Sequence, residues 1–218
     1  MIGYSGYMEP TAKDAAAALK PKEVIFGLTL RNIPTINLRQ QYAHDRKIVF
    51  DQRFDSTIGD WKRGRMAKPV TVSYPEPDAF FTTLFRTTIV GIECTLQAAA
   101  IEELAFAGRL TKPLHELLLR PGKLAPSMAE AYYNKIPEKV SSNARLRIHD
   151  GNLWKQVRKF YEEVRNPISH GHQLSDVKPE PLRAAFTMFD HIYSWIDAWS
   201  DRNRIQNILA TTTLKLLK

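Results

Sequence analysis

The chain has little of what most catalytic motifs require. Its 218 residues hold one cysteine, Cys94, which excludes an internal disulfide and a thiolate zinc cluster and fits a reducing compartment. No glycine-rich phosphate loop and no CxxC or HExxH motif occurs. No nucleotide cradle or motif-held metal is therefore predicted, and no cofactor is expected. Long apolar runs are also absent. The nearest, "TTIVGIECTLQAAAIEELAFAG", is interrupted by Glu93, Gln97, Glu102 and Glu103, which excludes it as a membrane span. Within that run Cys94 is expected to be a small buried hydrophobe. The opening "MIGYSGYMEPTAKD" lacks a basic stretch followed by an apolar one, so no secretory leader and a cytoplasmic location are expected. Internal repeats and low-complexity tracts do not occur.

What is present is positive charge. Thirty-one Lys and Arg against 23 Asp and Glu give a formal net charge of +8. Such a balance favours an anionic partner, nucleic acid first and acidic lipid second, although a basic chain need bind neither. An apolar content of 44% is ample for a buried core.

The pattern changes near residue 75. In "EVIFGLTL", Val24, Phe26, Leu28 and Leu30 alternate, as do Val70, Val72 and Tyr74 in "PVTVSY"; both read as short strands. "IVFDQRFDSTIGDW" fits either a helix or a strand. "WKRGRMAK" carries Lys62, Arg63, Arg65 and Lys68 with no acid. It reads either as a phosphate track beside Trp61 or as a solvated loop.

After the break at "SYPEPDAFF" the periodicity is helical. A long helix is predicted from an N-cap at Asp78 to Gly108, with Leu84, Thr88, Ile92, Leu96, Ala99 and Glu103 on one face. "KPLHELLLRPG" and "APSMAEAYYNKIP" read as short helices, the second capped by Ser127 and terminated by Pro137. A fourth carries Leu146, Leu153, Val157, Phe160, Tyr161, Val164 and Ile168 as one stripe, with Gly151 marking a break near its start. The fifth, after Pro179, buries Leu182, Phe186, Phe189, Ile192, Tyr193, Ile196 and Trp199. The expected fold is mainly α: an antiparallel bundle of four to five helices over residues 76–203. A small mixed N-terminal subdomain with strands precedes it (1–75), and a C-terminal tail follows (204–218).

"RNPISH" is the stretch that invites chemistry. An arginine followed within six residues by histidine is a loose pattern, and it recurs at Arg39/His44 and Arg109/His115. Context separates the three. Arg39/His44 lies in the irregular N-terminal region, and Arg109/His115 spans a linker. Arg165/His170 falls where a long amphipathic helix meets a proline. Pro167 lacks an N–H and its ring crowds the carbonyl four residues back, so the helix is predicted to end or kink near Arg165. Asn166 then acts as N-cap to a short turn closed by Gly171. Such a kink displays Arg165, Asn166, Ser169 and His170 from a stiff base.

Arg165-Asn166-x-x-x-His170, at the end of the penultimate long helix, resembles the signature of the HEPN superfamily over roughly residues 78–203. That signature is an arginine, commonly followed by a polar residue, and a histidine after four to six more. Pro167 departs from the common form. The resemblance implies a metal-independent endoribonuclease of the toxin–antitoxin or antiviral (phage) defence type. It also implies a homodimer in which two motifs face one another across a composite cleft, and an antitoxin or defence-system partner. Arg165 and His170 would be the catalytic pair, with Asn166 supporting them.

Elementary chemistry agrees with those residue types. Attack of a ribose 2′-hydroxyl on its own phosphorus needs a base, an acid for the departing 5′-oxygen and a cation for the developing charge. Imidazole, ordinarily near 6.5, serves as acid or base, and guanidinium offers a planar fork to phosphate. Ser169 and His172 are reserve candidates. Tyr161 is either a base-stacking residue or a core tyrosine. Lys62, Arg63 and Arg65 are candidate RNA contacts. The alternative function is a noncatalytic helical module that binds RNA, a nucleotide or a protein.

Overall fold

A computed structural model of the chain describes residues 23–25, 28–30, 35–55, 60–63, 71–73 and 77–201, with side chains for 37–50 and 78–201. These residues are mainly helical and build a bundle. No helix among them is long and apolar enough to cross a membrane.

The segment read as one strand, "EVIFGLTL", is instead two short ones. β1 (Glu23–Ile25) and β2 (Leu28–Leu30) pair antiparallel with Ile25 opposite Leu28. Only two residues separate those partners, a spacing that suits a hairpin rather than a continuous strand. Helix α1 (Thr35–Asp51) settles the ambiguous stretch in favour of helix up to Asp51. There β3 (Gln52–Asp55) begins, pairing with β4 (Asp60–Arg63), which pairs in turn with β5 (Thr71–Ser73). A separate strand-containing subdomain with its own core is not seen among the described residues. Tyr42 and Val49 of α1 lie in the same buried cluster as the long helices, so this helix, assigned by sequence to residues 1–75, packs as part of the bundle. Residues 204–218 lie outside the described residues.

Three ties hold α1 to α9 (Pro179–Trp199). Arg39 pairs with Asp197 through both terminal nitrogens, at 2.5 and 3.3 Å. The Tyr42 hydroxyl donates to Asp190 at 2.7 Å, and Arg46 reaches the same carboxylate at 2.8 Å. Arg39 therefore lies in a helix and in an ion pair between helices, not in an irregular region.

The centre of the bundle is α2 (Pro77–Phe106). Phe81, Leu84, Phe85, Ile89, Ile92, Leu96, Ala99, Ala100 and Leu104 recur at steps of three and four and are all buried, each larger side chain contributing roughly 1.5–3 kcal/mol. Gly108, at φ +65, closes the helix. Its N–H donates to Ala105 while the Arg109 N–H reaches back to Leu104, the paired bonds of a Schellman motif, whose left-handed position suits glycine. Cys94 is exposed, not buried. It shares a face with Thr83, Thr87 and Val90, all exposed, and the 3.6-residue period carries that face away from Ile92 and Leu96. Partial desolvation and Glu93 hold its thiol above the ordinary value, so it is no activated nucleophile.

Short elements fill the other side: α3 (Lys112–Leu118), capped by Thr111, then α4 (Met128–Glu130) and α5 (Ile136–Val140), joined by a π turn over Ala131–Lys135. Pro137 does not terminate this segment, which continues to Val140. Within the π turn Tyr133 is fully buried, stacked on Trp195 of α9. α6 (Leu146–His149) leads to α7 (Gly151–Phe160), whose first N–H groups are taken by Asp150 Oδ1 at 2.9 Å. The break expected at Gly151 is thus set by the cap before it.

One buried acid makes stability depend on pH. Glu102 is 7% exposed, and its Oε2 has no partner among the described residues. Burial, then Glu103, pushes its carboxyl from the ordinary 4.5 up to about 9. Between those values the native chain keeps a proton that the unfolded chain has lost, so stability falls as pH rises, by up to roughly 1.4 kcal/mol per pH unit. Glu102→Gln is expected to flatten this slope and to raise Tm at pH 8, which thermal melts from pH 5 to 9 check.

Candidate functional site

The helix does not break at Pro167. α7 passes through a second π turn, Tyr161–Arg165, directly into α8 (Asn166–Ser169). Arg165 (φ −61, ψ −48) and Asn166 (φ −66, ψ −49) are both helical, so Asn166 is not an extended N-cap. The Asn166 N–H reaches back five residues to the Tyr161 carbonyl. Inserting one residue in the turn before Pro167 widens the spiral where the pyrrolidine ring would crowd the preceding turn. The segment around Pro137 solves the same problem the same way, with its π turn also ending two residues ahead of the proline. A proline so placed bends the chain without exposing it.

The consequence for Arg165 is burial rather than display. Its side chain is 18% exposed and pairs with Glu93 of α2, Nε donating to Oε1 at 3.1 Å and a terminal nitrogen to Oε2 at 3.4 Å. Desolvation opposes the guanidinium charge, but Glu93's charge and hydrogen bond outweigh it and hold Arg165 above its ordinary value. Tyr161 is buried at 3% and donates its hydroxyl to the same carboxylate at 2.8 Å, with the Arg165 guanidinium over its ring at 5.4 Å. Burial, Tyr133 and Glu93 keep that phenol protonated. Tyr161 is therefore a core donor with its ring edge against Tyr133 at 5.5 Å; the base-stacking reading does not survive.

His170 has the opposite character. It is exposed, and its ring makes no hydrogen bond among the described residues. Its backbone is fixed nonetheless. As the cap of α8, its N–H donates to Asn166 and Pro167 carbonyls at 3.0 Å. Gly171 follows at φ +92, with the His172 N–H reaching back to Pro167 at 3.0 Å. This second Schellman closure is the one expected from the glycine. Ser169 turns its hydroxyl onto the Arg165 carbonyl at 2.9 Å, and His172 is exposed. Lys62 and Arg63 lie on β4, while Arg65 falls outside the described residues. No hydrogen bond joins the Arg165 guanidinium to the His170 ring among the described residues. The structure thus places a seated cation and a free imidazole five positions apart without bringing them together in one chain.

Four residues that sequence reasoning missed as partners hold this segment, all on α2. Beyond Glu93, Arg86 donates through Nε and one terminal nitrogen to the Ile168 carbonyl at 3.3 and 3.1 Å. Thr82 accepts from the Leu174 N–H at 2.8 Å. Asp78, expected as an N-cap of its own helix, instead accepts the N–H groups of Asp176 and Val177, each at 3.1 Å. Positions fall along α2 as they rise along 165–177, so the two run antiparallel and the loop carrying His170 is stitched down on both sides. Asp78→Ala is expected to cost about 1–2 kcal/mol and to open residues 173–178 to limited proteolysis before global unfolding. A signal existed for Glu93 alone: an acid amid Ile89, Ile92 and Leu96 needs a partner once buried.

Two acids stand next to histidines in the sequence, Asp150 after His149 and Asp190 before His191, and both are engaged elsewhere. Asp150 caps α7, and Asp190 receives Tyr42 and Arg46. Among the described residues no group of three His, Cys, Asp or Glu gathers as a metal site. The chain matches no family model, no curated protein and no solved structure.

Proposed function

We propose that this chain is a HEPN-type, metal-independent endoribonuclease of toxin–antitoxin or phage-defence type, working as a homodimer in the cytoplasm. The observation that carries this reading is a fixed but unengaged imidazole. His170 closes a helix through its backbone N–H, but its exposed ring makes no hydrogen bond among the described residues, where a structural histidine's ring would be expected to cap or pair. Arg165 lies on the preceding turn of the same helix.

In the reaction, an imidazole removes the proton of the ribose 2′-hydroxyl, and the oxygen's electron pair forms a bond to the adjacent phosphorus. The P–O5′ bond breaks, its electrons leave on O5′, and a protonated imidazole supplies the proton. The products are a 2′,3′-cyclic phosphate and a 5′-hydroxyl. One His170 cannot be base and acid in the same step, so a second chain supplying its own His170 completes the pair. Arg165 donates to the nonbridging phosphate oxygens. Incubation of the purified protein with RNA in EDTA tests the reading. Fragments ending in cyclic phosphate are the expected result, and intact RNA overturns it.

The Glu93–Arg165 pair favours a second reading, a noncatalytic RNA-binding module. A guanidinium already neutralised by a carboxylate is a weaker clamp for a transition state. Under that reading RNA binds and remains whole.

A further inference from the structure

We infer that Arg86 is the principal phosphate-attracting cation of this site and the residue that positions the turn bearing His170. The inference rests on the reading of the site as one that handles RNA, and it starts from charge. Arg165 and Glu93 form a pair of zero net charge, so Arg165 alone offers an incoming phosphate little long-range attraction. Arg86 is exposed, and its partner is a neutral backbone carbonyl. No carboxylate pairs with it among the described residues, and its second terminal nitrogen makes no bond there. A full positive charge with an unused donor face therefore stands two residues from His170 in contact terms, at Ile168.

The geometry gives Arg86 a second task. The Ile168 carbonyl already accepts the Gly171 N–H at 3.3 Å, and Arg86 adds a two-nitrogen fork from a different helix. A cation at a helix C-terminus is stabilising, and here the fork ties the cap of α8 to α2. Seven residues along α2, two helical turns or roughly 10 Å, Glu93 ties down Arg165. One rigid helix thus sets both halves of the motif, Arg86 fixing the histidine end and Glu93 the arginine end. The substrate this suits is a single strand of RNA whose backbone passes Arg86 before reaching His170.

Arg86→Gln and Arg86→Lys separate the two tasks. The binding probe is an uncleavable 2′-O-methyl oligonucleotide, followed by fluorescence anisotropy over a salt series. Arg86→Gln is expected to weaken binding and lower the slope of log K against log salt by about 0.7, one phosphate contact on a single strand. Arg86→Lys is expected to restore that slope, since it keeps the charge. It should leave kcat depressed by on the order of tenfold, since it loses the planar fork and loosens the turn. Wild-type binding and slope in Arg86→Gln overturn the phosphate role, and wild-type kcat in Arg86→Lys overturns the positioning role. Wild-type protein that binds the oligonucleotide but leaves RNA whole overturns cleavage, with the binding series still deciding Arg86. Melting temperatures of both variants guard against global unfolding, and Arg86→Lys keeps a donor for the carbonyl if Arg86→Gln does not fold.

Discussion

Glu93→Ala is expected to destabilise the protein by about 3 kcal/mol, lowering Tm by roughly 10 °C for a chain of this size. The carboxylate is 6% exposed and accepts both the Tyr161 hydroxyl and the Arg165 fork. Removing it strands a guanidinium that is only 18% exposed and a phenol donor in the core. Both must then be desolvated without a partner. Truncation also leaves a void beside Tyr161. Glu93→Gln keeps an acceptor for the phenol and should cost about half as much. The double variant Glu93→Leu/Arg165→Met is expected to recover most of the loss, because a buried pair replaced by apolar side chains of similar size is often neutral. Urea unfolding of the parent, Glu93→Leu, Arg165→Met and the double variant gives the coupling directly. A Glu93→Ala protein as stable as the parent would mean that Arg165 reaches water readily and that the pair is decoration.

That pair also marks where the sequence was legible and where it was not. The apolar period located α2 and α9 and most of α9's buried face, because burial of a helix stripe follows directly from 3.6-residue spacing; on α2 it marked Leu84, Ile92, Leu96 and Ala99 but passed over Phe81, Phe85, Ile89, Ala100 and Leu104. It failed for Cys94, which sits about half a turn from the Ile92 and Leu96 stripe: membership of an apolar run does not say which side of the helix a residue occupies. Proline misled twice, at Pro137 and Pro167. The rule that proline ends a helix assumes an α spiral, and a π turn two residues earlier removes the clash on which the rule rests. The misreading mattered at Pro167, since a broken helix displays Arg165 whereas a continuous one seats it against Glu93. Arg86, Thr82 and Asp78 carry no local signal at all. Their role exists only because α2 runs antiparallel to residues 165–177, and a pairing between helices some 80 to 100 residues apart in sequence has no signature in either strip alone.

His170→Ala is expected to reduce RNA cleavage by roughly 10²- to 10⁴-fold, the usual worth of a positioned general acid or base, while leaving Tm within about 1–2 °C of the parent. The second half of that expectation gives the test its force. An exposed ring with no internal bond contributes little to stability, so lost activity cannot be ascribed to lost fold. Arg165→Ala is less informative alone, because it strands Glu93 as an unpaired buried acid and should destabilise and inactivate together. Mixing parent and His170→Ala subunits then tests the composite site. If two His170 side chains share one cleft as base and acid, a mixed dimer has lost one of them, and activity falls with the square of the parent fraction. A linear fall places a complete site in each chain and overturns the composite cleft. A His170→Ala protein that cleaves like the parent removes the imidazole from the chemistry and leaves RNA binding, governed by Arg86, as the function of this face.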